Sequence, residues 1–109
     1  MALDLNELKA AMVGAAKASL ASDWPRARDF ADAEFRKLAL SLRDIAALAA
    51  QGKVNRTQAR SLLAIHRNTT RMVLLTVKGL GRIAVDNAIN AALGAAAKLV
   101  NSAAGFALL

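Results

Sequence analysis

The sequence predicts an all-α protein. It should hold three helices, two of them paired as an α-hairpin and the last one long, with the core completed by oligomerisation. Three observations lead there. Only one proline and six glycines interrupt 109 residues, too few breakers for a β-rich fold. Helix-start signals stand before stretches whose apolar residues recur at three- and four-residue intervals. Hydrophobic residues make up 56% of the chain but aromatics only 4%, so a lone chain has little bulk with which to fill a core and is expected to finish burial against other copies.

The first helix opens at Asp4-Leu5-Asn6-Glu7, where the spacing of an N-cap acid and an N3 acid suits a capping box. It should run to about Ala21, with Leu5, Leu8, Met12, Ala15, Ala16 and Leu20 near one side. Ser22-Asp23-Trp24-Pro25 ends it and starts the second helix. Asp23 is the expected cap, and Pro25 is tolerated in the first turn because its missing N–H has no helical partner there. Trp24 is read as a packing anchor at this junction.

The second helix should reach Gln51 with Phe30, Leu38, Leu42, Ile45 and Leu48 among its apolar positions, and Gly52 supplies a left-handed C-cap. Asn55 and Gln58 repeat the capping-box spacing and launch the third helix. So short a loop folds helices two and three into an antiparallel hairpin.

Charge is the most informative feature of the third helix. The net charge is +7, yet residues 1–52 hold seven acids and seven bases, and residues 83–109 hold only Asp86 and Lys98. The whole excess lies in 53–82, as Lys53, Arg56, Arg60, Arg67, Arg71, Lys78 and Arg82. From Arg56 onward the six cations are spaced 4-7-4-7-4. At the helical turn angle they fall within an arc of about 80°. Gly79 and Gly81 each cost a helix about 1 kcal/mol. Arg82 nevertheless keeps the phase of the line, so the helix is expected to continue through them with room to bend.

Beyond Asp86 the chain is apolar or small almost all round, which calls for burial on most sides. The chain therefore divides into a charge-balanced part (1–52), a basic helix (53–82) and an Ala/Gly-rich oligomerisation tail (83–109). Ile89, Leu93, Leu99 and Val100 are the expected oligomer contacts. Arg56, Arg60, Arg67, Arg71, Lys78 and Arg82 are the expected site for an anionic partner.

No enzymatic chemistry is expected. There is no cysteine and one histidine, and His66 has none of the paired Glu-x-x-His companions that a dinuclear metal bundle requires. Asp29, Asp32 and Glu34 are interleaved with Arg26, Arg28, Arg36 and Lys37 and read as a solvated charged face. Lys78-Gly79-Leu80-Gly81 lacks the strand and the glycine spacing of a phosphate loop. Neither a cofactor, a metal nor a small-molecule substrate is implied. Asp4 and Glu7 occupy the place where a secretory leader carries positive charge, so synthesis in the cytoplasm without an export signal is expected.

Three partners fit the basic line. The foremost is an acidic protein surface, in a self-assembling structural subunit of a virion, a tail-like or a pore-like complex. A membrane-active oligomer on anionic lipid is the second, although the charge-free runs of the tail are only eleven residues each and a spanning helix needs about 20. Non-sequence-specific nucleic-acid binding is the third; no aromatic lies between 56 and 82 to stack on bases.

Overall fold

A computed structural model describes residues 3–109. These form four helices, α1 (Leu5–Leu20), α2 (Trp24–Ala50), α3 (Arg56–Leu74) and α4 (Arg82–Ala104), with a single 3₁₀ turn at Ala21–Asp23 and no strand among the described residues. Each helix runs antiparallel to the next, and α4 closes the ring by lying antiparallel to α1. The bundle measures 42 × 23 × 17 Å, its long axis matching the roughly 40 Å of the 27-residue α2.

The expected start and stop signals set most of the boundaries. Asp4 Oδ1 accepts hydrogen bonds from the backbone N–H groups of Asn6 (3.0 Å) and Glu7 (3.2 Å). Asn55 and Gln58 form the full reciprocal box, with both bonds at 2.8 Å. At the end of α2, Gly52 has φ +71°. Its N–H bonds the Ala49 carbonyl while Lys53 N–H bonds that of Leu48, the paired bonds of a Schellman motif. Asp23, by contrast, caps nothing: its side chain makes no cap bond and sits 3.6 Å from the Arg26 guanidinium instead.

The last of the three expected helices is in fact two. α3 stops at Leu74, and the chain turns before α4 begins at Arg82. Two local features account for the stop. The Thr76 hydroxyl donates to the Val73 carbonyl at 2.6 Å, a side-chain bond that competes with the helical ladder. Then Leu80 N–H closes on the Val77 carbonyl at 3.1 Å with Gly79 at φ +84°, a type II turn whose third residue must have positive φ. Arg26 closes over this turn, donating to the Gly79 carbonyl at 3.4 Å. Val77 and Leu80 are buried beneath it.

The break lets α4 return through the chain's own bundle. It packs most extensively on α1 and reaches α2 across the diagonal, while α1 and α3 do not meet. Its buried stripe is Val85, Ala88, Ile89, Ala92, Leu93, Ala96, Val100 and Ala104. Alanines recur on it every fourth residue from 88 to 96, which lets the helix axes approach closely around Leu8, Met12 and Ala16 of α1. From α2 the core takes Ala27, Ala31, Phe35, Leu38, Leu42 and Ile45. Phe30, expected among the apolar positions, is exposed; Phe35 is the buried aromatic. Trp24 packs partly buried against the core.

Ile89, Leu93 and Val100, expected as oligomer contacts, lie in the buried core of the single chain. α4 is long and apolar enough to cross a membrane by length and composition, and its buried stripe packs mainly on α1 and α2. Ala96 is fully buried at the centre of this packing. Ala96→Leu should therefore overpack the α1–α4 contact and lower stability by about 1–3 kcal/mol in urea unfolding. An unchanged midpoint would show that the two helices are not in close contact at this level.

Candidate functional site: the basic α3–α4 groove

α3 is the least buried helix, with only Ala59, Thr70 and Leu74 fully covered. It packs well on α2 but only loosely on α4. The gap is bridged by the long side chains of its basic line. Arg71 Nε meets Asp86 Oδ1 at 2.8 Å. Arg67 donates to Asn90 Oδ1 at 3.0 Å, and Arg60 to the Ala107 carbonyl at 3.1 Å. Arg56 lies over the Phe106 ring, 5.1 Å from its centroid, a cation–π contact.

The six cations therefore do not form one line. Arg56, Arg60, Arg67 and Arg71 run along α3 on the side toward α4. Lys78 lies exposed in the turn, and Arg82 is the exposed first residue of α4. Because α3 ends at Leu74, the eleven-residue phase that Arg82 keeps in the sequence has no helix to carry it.

Between α3 and α4 this leaves a groove in two continuous parts. One, of about 440 Å³, is lined by Arg60, Leu63, Arg67, Arg71, Asp86 and Asn90 among others. The other, of about 260 Å³, shares Leu63 and Arg67 and adds Leu93, Gly94, Ala97, Leu108 and Leu109. The wall is cationic and the floor apolar. Among the described residues only Arg71 of this wall faces a carboxylate, and with both partners more than a third exposed that pair contributes under about 1 kcal/mol. Arg60 and Arg67 bond neutral oxygens, which orient a guanidinium without cancelling its charge. Their positive potential remains available to an anion.

The far end of the groove is built by the segment after α4. Gly105, at φ +85°, ends the helix with its N–H on the Asn101 carbonyl. The chain then folds back so that Asn101 Oδ1 accepts from both Leu108 N–H and Leu109 N–H at 2.9 Å. That clamp buries Leu108 and brings Ala107 and Phe106 within reach of Arg60 and Arg56.

Asp86, Asn90, Asn101, Phe106 and Leu108 belong to the groove but not to the set of cations expected from sequence. A signal for two of them is present. About the turn at Lys78–Gly79, Asn90 mirrors Arg67 and Asp86 mirrors Arg71, so folding the sequence at that point places each acceptor beside its donor. Of the four expected oligomer contacts only Leu99 keeps partial exposure; it lines a groove between α1 and α4 with Leu3, Glu7 and Ala95.

His66 lies on the other side of α3. With Glu34, Lys37, Ser41 and Thr70 it lines a small cavity against α2, where Glu34 is buried and bonded by Lys37 at 3.4 Å. No cluster of metal-ligating side chains occurs among the described residues. No family model, curated protein or solved structure matches the chain.

Removing the Asn101 amide leaves two part-buried N–H groups without their acceptor. Asn101→Ala should cost about 1–3 kcal/mol and make the Leu108 and Leu109 amides exchange faster with solvent, while amides in the middle of α1 stay protected. Unaltered exchange at both tail amides would contradict the clamp.

Proposed function

We propose that the protein is a non-enzymatic, self-assembling structural subunit that presents its basic α3–α4 groove to an acidic segment of a partner protein. The observation that carries this reading is the pairing of a guanidinium wall with an apolar floor in one groove. Arg60, Arg67 and Arg71 stand along α3 above Leu63, Leu93 and Ala97. From Arg60 to Arg71 the wall extends roughly 16 Å, the length of about three turns of a docked helix. An amphipathic helix with acids on its flank and leucine-like residues on its face meets both surfaces at once. Guanidinium groups suit carboxylates because two parallel N–H bonds match two oxygens.

Duplex nucleic acid matches less of the groove. Phosphates would engage the wall but leave the apolar floor uncovered. The membrane-active alternative draws on α4, whose length and apolarity suffice for a span. That helix would have to leave α1 and α2 to enter lipid.

One titration series separates these. Backbone amide shifts of the labelled chain are followed on adding an acidic amphipathic peptide, duplex DNA, or anionic vesicles, at low and moderate salt. The peptide should shift Leu63, Arg67, Asn90 and Leu108 and retain affinity at moderate salt, and Arg60→Glu with Arg67→Glu should weaken it at least tenfold. A peptide that shifts nothing in the groove, alongside DNA or vesicles that do, would overturn the reading.

A further inference from the structure

We infer that a second copy of this chain docks on the outer face of the α2–α3 hairpin, forming a two-fold dimer that leaves the basic groove open. Four large apolar side chains stand out of the bundle there: Phe30 (52% exposed), Leu40 (39%), Ile65 (59%) and Met72 (69%). On α2, Phe30, Ala33, Lys37 and Leu40 follow one another at three- and four-residue steps and so form one stripe; on α3, Ile65, Thr69 and Met72 do the same. Lys37 and Thr69 line the same small cavity, so the two stripes meet on one side of the hairpin. That side is turned away from α4. Exposed apolar residues scattered singly need no explanation, but four on one face of so small a bundle mark a contact surface.

The pattern on this face is self-complementary, which is what selects a second copy as its occupant. A two-fold interface sets each residue against another of the same patch. Take an axis lying in the face and perpendicular to the helices. Phe30 and Leu40 are equidistant from residue 35, so each would cover the other's counterpart. Ile65 and Met72 are equidistant from the midpoint of 68 and 69. In the hairpin, residues 34–41 of α2 pack beside 66–70 of α3, and the two centres lie within about 3 Å along the axis. One axis therefore serves both pairs.

Charge follows the same symmetry. Arg26, 3.6 Å from Asp23, and Asp44, 3.2 Å from Arg43, are equidistant from residue 35 as well, and both side chains are at least half exposed. The axis brings Arg26 of each copy toward Asp44 of the other. Lys37, tied to Glu34 at 3.4 Å, would face the small Ala33. No pair of like charges among these residues is forced together.

This proposal specifies the self-association within the assembly reading above but uses none of the groove residues, so the two can fail separately. The test is the mass of the full chain in solution by light scattering behind a sizing column, at high micromolar concentration. Wild type should elute at twice the 11.4 kDa of one chain. Ile65→Lys with Met72→Lys should elute at the mass of one chain, with far-UV circular dichroism and melting temperature near those of a monomer that keeps its core. Ile83→Lys, at a site that is 78% exposed but off this face, should remain dimeric. Arg60→Glu with Arg67→Glu should remain dimeric too. A monomeric wild type, or a multimer whose mass ignores Ile65→Lys with Met72→Lys, would overturn the proposal.

Discussion

The structure depends on how a chain poor in bulky side chains covers α4. That helix carries a broad stripe of small and apolar residues, and alanine gives little buried area at ordinary helix separations. The stripe becomes useful only if neighbours come close. α1 and α2 meet that need together, with Leu8, Met12 and Phe35 filling the space that the alanines of α4 leave. α1 packs mainly on α4 and does not reach α3, so α3 has only α2 to pack on closely.

α3 is consequently held in two different ways. Its α2 side is packed, through Ala59, Thr70 and Leu74. Its α4 side is bridged by arginines, which can span a gap because their aliphatic stems reach further than any apolar side chain and keep the charged head in water. Each finds an acceptor or ring on α4 or on the segment folded back by Asn101. A seam made this way has a chemical consequence that a packed seam lacks. The charge that joins the helices is mostly uncompensated, and it lines an open groove. The four arginines of α3 are therefore both a structural device and a surface feature.

Much of the local structure was legible in the sequence, because caps are local. The reciprocal bonds of Asn55 and Gln58 and the left-handed Gly52 need only a few residues to specify them. Asp23 misled because the turn at Ala21–Asp23 already places the start of α2 in helical geometry, so no extended cap residue is present for the carboxylate to serve. The end of α3 was misread for a different reason. The phase kept by Arg82 outweighed Gly79 and Gly81, yet helical phase is not evidence of continuity when a turn of seven residues happens to restore the spacing. The expectation that Ile89, Leu93 and Val100 are oligomer contacts followed from that misreading; the structure buries them within one chain. A continuous helix would carry them past the end of α2, and only the reversal at Gly79 returns them to α1. The groove itself was half legible: the donors were plain, and their acceptors required the fold.

The arginine seam and the groove both depend on α4 closing the core of its own chain. The most direct test is an isotope-filtered NOE experiment on an equimolar mixture of labelled and unlabelled protein, reading contacts between Leu8 or Met12 and Ile89 or Val100. Closure within one chain requires those contacts in the unfiltered spectrum and their absence from the interchain spectrum. Their appearance between chains would mean that α4 is exchanged between copies, and the intrachain account of the arginine seam would fall with it.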